Sequence, residues 1–346
     1  MSATPRLERE AARAAPSHAA SRAPIAAAAI LVAIVVIAVT FGTQPVSISR
    51  AIADASSLDR VILLEARAPR VFLGAVAGAG LAAVGLAFQS VLRNPLAEPY
   101  VLGVSGGSAL GATLAILVGL TSASFLGAAL VPLAALAGGV AATTLVYALV
   151  RSRTDASGTS ILLAGVVVNA IASSAITFLK TLVSASKAQE LLYWLVGFLD
   201  VQSPTVLAMV AIYTFVGVAV LMRDAGRLNL LALGDDAAHA LGVDVRALER
   251  RTFFACSLVV GAIVSVTGLI GFVGLIVPHA VRRLVGPDLR VALPTALFGG
   301  GAVLVACDLV SRALFRWLGT EPPVGAVTAL VGGPLFLFLL RRDAVR

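Results

Sequence analysis

Charged side chains are scarce: Asp, Glu, Lys and Arg make up 13% of the 346 residues, roughly half the share of a soluble domain. Together with 59% hydrophobic residues and a mean hydropathy of +0.99, that scarcity excludes a soluble fold and places the chain in a membrane. Cysteine is almost missing as well. Cys256 and Cys307 both lie in apolar segments and set up no disulfide framework. No His/Cys/carboxylate cluster supports a metal site, and no serine, cysteine or paired-carboxylate constellation indicates catalysis. A Walker A string, G-x-x-x-x-G-K-[ST], is lacking, so this chain does not bind ATP in that way. The net charge of +8 would suit nucleic acid, but the basic residues are scattered among loops rather than gathered in one stripe.

What the chain has in abundance is apolar segments. Ten candidate spans follow one another at 24–41, 71–91, 106–120, 125–150, 160–183, 205–222, 252–269, 276–285, 291–315 and 325–340. Ahead of them, 1–23 is a polar Ala/Arg-rich stretch that reads as a disordered cytoplasmic tail. A cleaved signal peptide is the competing reading of 24–41, but no clear small-x-small cleavage site follows. The segment 189–198 is too short to span, and its Tyr193 and Trp194 suit a helix lying at the interface. With both termini inside, eighteen of the 26 basic residues fall on the inner side and eight on the outer. A shift of one span destroys that asymmetry.

Four stretches stand out. In 71–91, Gly74, Gly78, Gly80 and Gly85 sit among alanines, and Gly74-x-x-x-Gly78 lets helix backbones approach closely. Lipid requires no such small side chains, so this helix reads as threaded through the middle of a bundle. Its exit is the proline-broken Arg93-Asn94-Pro95-Leu96-Ala97-Glu98-Pro99, followed by Gly103-Val-Ser-Gly-Gly-Ser108. The second stretch, 223–251, is a long polar segment. Leu230, Leu231, Leu233, Ala237, Ala238 and Leu241 form two short amphipathic turns there, separated by Gly234 and ended by Gly242. Its His239 reads as a helix-surface residue. In the third, Gly268, Gly271, Gly274 and Pro278 interrupt an apolar run, which a membrane tolerates only where protein or a cavity satisfies the freed backbone. His279 after that proline reads as structural. In the fourth, Asp308 lies inside a span and needs a partner, Arg312 at i+4 being the nearest. Glu321-Pro-Pro-Val-Gly then opens the last span.

These strings resemble one family. Arg67-Ala-Pro-Arg70, the Gly/Ala helix, Gln89-x-x-x-Arg-Asn-Pro-Leu-Ala-Glu-Pro99 and Leu102-Gly-Val-Ser-Gly-Gly107 are similar to the permease subunits of ABC importers for iron-siderophores, haem and vitamin B12. So are Gly271-Phe-x-Gly-Leu-x-x-Pro-His-x-x-Arg282, Asp308-xxx-Arg312 and Glu321-x-Pro-Val-Gly-x-x-Thr-Ala-x-x-Gly-x-Pro-x-Phe336. The resemblance implies an all-α membrane protein of about ten transmembrane helices in one permease domain, 24–342, with the second helix central. It implies a bacterial inner-membrane, multi-pass pore subunit that is not itself an enzyme and binds no cofactor.

By the same resemblance the partners are a second permease subunit, expected as a homodimer, two ATPase subunits carrying ATP and Mg, and a periplasmic substrate-binding protein. The segment 223–251 becomes an ATPase-coupling segment, with Leu230, Leu233, Gly234, Asp235, Ala238, Leu241 and Gly242 as its contact residues. Asn94, Leu96, Thr159 and Ser160 match the positions that narrow the cytoplasmic end of the pore, with helix capping by Asn94 or Ser160 as the alternative. Arg67, Arg70 and Arg312 match positions that dock the binding protein. Anchorage to lipid phosphates is the alternative there, and for Arg312 an internal pair with Asp308. A secondary ion-coupled transporter is the other class to weigh, with Asp308 as the one clear intramembrane acid.

Overall fold

A computed structural model describes residues 18–119, 125–151 and 158–343, and every described regular element is helical. In chain order these are α1 (His18–Thr40), α2 (Ile48–Ala53), α3 (Leu58–Val61) and α4 (Ala68–Val91), then α5 (Val104–Leu117), α6 (Phe125–Arg151) and α7 (Gly158–Thr181). The chain continues through α8 (Ala185–Val196), α9 (Pro204–Leu231), α10 (Asp235–Ala240) and α11 (Val245–Thr267). It ends with α12 (Val273–Val285), α13 (Leu289–Leu318) and α14 (Val324–Asp343). Residues 1–17, most of the expected tail, lie outside the described residues. The part of it that is described belongs to α1, which starts at His18 and carries Pro24 inside.

Six helices are long and apolar enough to cross a membrane, and α5, the 133–149 part of α6 and α14 are shorter apolar helices. With the short α12, each of the ten expected crossings is a helix in its expected place. The expected interfacial segment is α8, whose end is stitched down by Phe198 N–H donating to the Thr267 carbonyl and by Gly325 N–H donating to Gly197.

α4 occupies the centre. It packs against α13, α9, α12 and α11, while α1 lies outside on α13. Of the span containing α4, 78% is buried, against 22% for α7 and 6% for α1. The small residues explain how so many neighbours fit. A Cβ on Gly78 would stand 2.2 Å from the Gly300 carbonyl oxygen of α13, and one on Gly85 would stand 1.8 Å from that of Gly274 in α12. Both distances are far inside van der Waals contact, so on two sides α4 meets bare backbone.

Two helices stop short of a full crossing. α5 and α12 have 14 and 13 residues, or about 20 Å each at 1.5 Å per residue, against a core of ~30 Å. α12 begins beside Leu81 and Gly85 of α4, and Pro99 packs on its Gly274. The chain leaving α4 therefore turns back into the protein before α5 starts, and both short helices begin at depth.

Two helix limits differ from the sequence reading. α4 is preceded by α3 and a π-helical turn, Ile62–Arg67, which make one continuous 34-residue helix. That wide turn ends on Arg67 and leaves its side chain buried. α9 runs on through the polar Arg223–Asn229 to Leu231, because Leu228 and Leu231 are fully buried on its inner face. The first of the two amphipathic turns expected in 223–251 is thus the end of a long helix, and only α10 is a separate turn.

Candidate functional site

Irregular backbone inside a membrane needs internal partners, and the loops before α5 and α12 supply them to each other. Glu98 Oε1 accepts from the Phe272 N–H at 2.7 Å. The Tyr100 hydroxyl oxygen accepts from the Ile270 N–H at 3.0 Å. Phe272 is held at φ 69°, a left-handed conformation that is unusual for a large side chain. Asn169, reaching in from α7, accepts from the Gly106 N–H at 3.0 Å and donates to the Tyr100 carbonyl. Ser105 donates to the same carbonyl. The proline-broken exit of α4 and the glycine-broken entry of α12 thus form one clasp. His279, farther along α12, stacks edge-on against Phe336 of α14 with ring centroids 6.1 Å apart.

At the end of the bundle where α4 begins, Asp308 is 1% exposed and held from both sides. Arg70 Nε lies 2.9 Å from its Oδ1 and Arg312 Nε 2.9 Å from its Oδ2. Arg70 also reaches Glu321 at 2.8 Å. Arg312 and Arg67 also hold the end of α1. Arg312 donates to the Ala38 and Phe41 carbonyls, and Arg67 donates to those of Val39, Thr40 and Gln44.

Arg67, Arg70 and Arg312, expected to dock a binding protein, are each engaged within the chain. Arg67 and Arg312 are 6% and 3% exposed, and association with further subunits only buries side chains more deeply. Arg70 is occupied by two carboxylates. An incoming acidic residue would have to displace or share bonds already made. The alternative for Arg312, a pair with Asp308, is what the structure contains.

At the opposite end of the bundle, α10 hangs between α9 and α11. Its Ala238 is fully buried against the body of the chain. Leu233 and Leu241, on either side of α10, are 68% and 59% exposed. Gly234 and Gly242 take φ of 121° and 81°, values that favour glycine, and turn the chain into and out of the helix. Leu230 lies back on α9, half-buried. Asp235 pairs with Arg93, whose Nε also donates to the Leu231 carbonyl at 3.1 Å. Arg93 leaves α4 at φ 48°. One side chain therefore ties the exit of α4 to the end of α9 and the start of α10. Asp224 of α9, almost fully buried, is bound by Arg227 at 2.6 Å and Arg251 at 3.0 Å.

The expected gate residues are only partly gathered. Asn94 folds into an Asx turn, its Oδ1 accepting from the Leu96 N–H at 2.9 Å. Leu96 is half exposed beside it. Ser160 stands in the first turn of α7, a helix that packs on the 3₁₀ turn Pro99–Leu102. The side chain of Thr159 lies outside the described residues. The sequence reading missed Arg93, Tyr100 and Asn169 as structural partners. The signal available for Asn169 was a lone amide in an otherwise apolar span.

Residues 30–342 match the model of the FecCD transport family. The chain is 43% identical over 293 residues to the cobalamin import system permease protein BtuC of Halobacterium salinarum, covering 83% of this chain and 75% of that protein. It is 37% identical to the hemin transport system permease protein HmuU of Yersinia pestis, covering 82% and 84%. An inward-facing structure of a metal-chelate type ABC transporter superposes with a TM-score of 0.82 at 29% identity, covering 92% of this chain and 98% of that one.

Proposed function

The chain belongs to the FecCD transport family, and from that premise we propose that it carries a bulky metal complex, an iron chelate, haem or a corrinoid, inward across the bacterial inner membrane. As an ABC permease it is a multi-pass pore subunit rather than an enzyme, and a separate ATPase subunit hydrolyses ATP. The relatives matched are named for cobalamin and hemin, which share size and a coordinated metal. Ion coupling finds no support among them. The intramembrane acid weighed for it, Asp308, is locked between two arginines.

The observation that carries the reading is the cytoplasmic cap. Leu233 and Leu241 are apolar and exposed where an aqueous loop has no reason to keep them, and α10 between them is tied to α4 through Arg93. An ATPase groove that takes up the two leucines would move α10 as it closes. Arg93 would pass that movement to the loop holding Asn94 and Leu96, and the clasp at Glu98 would pass it to α12. Leu96 and Ser160 then narrow the inner end of the pore. The start of α1 and the end of α14 lie on this cytoplasmic side.

Two copies of the chain surround the pore. This reading rests on α7, which exposes Ser173, Ser174 and Thr177 on one face. Hydroxyls suit an inter-subunit seam or a wet pore better than lipid. The lipid-exposed face of α9, by contrast, offers Ile212, Phe215 and Val216.

The test is purification of the tagged permease together with its candidate ATPase and binding protein, followed by mass spectrometry of the ligand on the binding protein. A stable complex with a metal chelate on the binding protein is expected. A permease that purifies without any ATPase, or a binding protein loaded with an amino acid or sugar, contradicts the proposal.

A further inference from the structure

We propose that the cytoplasmic ends of α9 and α13 form a headgroup site for an anionic phospholipid of the inner leaflet. The groove between them is lined by Met222, Arg223, Gly226, Arg227, Leu230 and Arg290. Its depth is right for a headgroup. Arg223 is nineteen residues below Pro204, the first residue of α9, or about 29 Å at 1.5 Å per residue, which is the thickness of the hydrocarbon core. That places the groove at the inner membrane surface, a level that rests on the orientation proposed above.

The charge is not spent internally. Asp224 already binds Arg227 and Arg251. Asp288, the other nearby carboxylate, accepts from Asn229 Nδ2 and from the Arg290 backbone N–H. Arg223 and Arg290 make no ion pair among the described residues. Arg290 lies across α9 because residue 226 is glycine: a Cβ there would stand 2.8 Å from Arg290 Nη2. The missing side chain leaves a seat for a guanidinium that points toward no protein carboxylate.

The surroundings select a lipid over a soluble anion or a protein. Directly above the groove, α9 shows an unpartnered apolar stripe, Ile212, Phe215, Val216 and Met222, all exposed. A phospholipid matches both parts at once, with acyl chains along the stripe and a phosphate between Arg223 and Arg290. Basic pockets between helices at the cytoplasmic surface recognise anionic headgroups in this way, each basic residue adding to the preference. A free phosphate uses only the arginines. An acidic ATPase surface approaches from below and leaves the stripe uncovered.

The experiment is native mass spectrometry of the purified permease–ATPase complex with phosphatidylglycerol or phosphatidylethanolamine of identical acyl chains. Preferential retention of phosphatidylglycerol, roughly tenfold or more, is expected. Arg223→Gln with Arg290→Gln should abolish that preference, and Arg223→Lys with Arg290→Lys should keep most of it. Arg223→Gln alone, at an exposed side chain without an ion pair, should weaken the preference without disturbing the fold. Equal retention of the two lipids, or a preference unchanged by the Gln variants, overturns the proposal. So does displacement of phosphatidylglycerol by millimolar inorganic phosphate, or loss of the ATPase in place of the lipid. Chelate uptake by the complex is assayed separately, so failure of the lipid site and failure of the permease reading remain distinguishable.

Discussion

Asp308 carries the largest consequence of any single residue. A buried ion pair is weak evidence of net stabilisation, but removing one partner leaves a charge in low dielectric at a cost of about 3–5 kcal/mol. Arg70→Met or Arg312→Met is therefore expected to lower the unfolding temperature sharply and to reduce monodisperse protein in detergent. Asp308→Asn should do the same, since it leaves two guanidiniums facing each other. Thermal unfolding followed by size exclusion checks this. Wild-type stability combined with a binding-protein association defect would instead support the docking role expected of these arginines. The glycines of α4 act by a different force. Gly85→Ala puts a methyl group inside a backbone carbonyl contact, and overpacking of that kind costs about 1–3 kcal/mol. Gly74→Ala, whose nearest neighbour is a side-chain methyl of Leu199 at 3.1 Å, should cost less. The Asp308–Arg312 pair was legible in the sequence because i+4 spacing on one helix brings side chains together. The second partner was not, since nothing local connects Arg70 to a residue 238 positions away.

At the scale of elements, hydropathy locates helices but misplaces their ends. It falls away after Met222, yet α9 continues for more than two further turns because Leu228 and Leu231 find buried surroundings. The central position of α4 was readable from its small residues. The clasp between the loops before α5 and α12 was not, because each loop's orphaned N–H groups are satisfied by residues distant in sequence. Two predictions belong here. Asn169→Leu leaves the Gly106 N–H unsatisfied and should destabilise the protein by about 1–3 kcal/mol, measured as before. Within the cytoplasmic cap, Leu241→Asp and Arg93→Ala should fail differently. The first puts an unpaired charge into the proposed apolar dock, so ATPase copurification should be lost. The second leaves the dock intact and cuts its tie to α4. The complex should then assemble and hydrolyse ATP while chelate transported per ATP falls, by about tenfold if the link acts as one charge-assisted hydrogen bond. Full coupling in Arg93→Ala would show that movement reaches the pore by another route.

For the whole molecule, the two copies proposed to enclose a pore should change the separation of their inner ends through the transport cycle. With Asn94→Cys on one copy and Ser160→Cys on the other, cross-linking should differ between nucleotide-free and vanadate-trapped complexes. Equal cross-linking in both states would reduce Asn94 to the Asx turn it forms with Leu96. The most direct test of the central claim is uptake of a metal chelate by proteoliposomes containing the permease and its ATPase, with the binding protein outside. Uptake is predicted to require ATP and the binding protein, to stop with vanadate, and to continue when proton and sodium gradients are collapsed. Uptake by the permease alone, driven by either gradient and indifferent to vanadate, would contradict it.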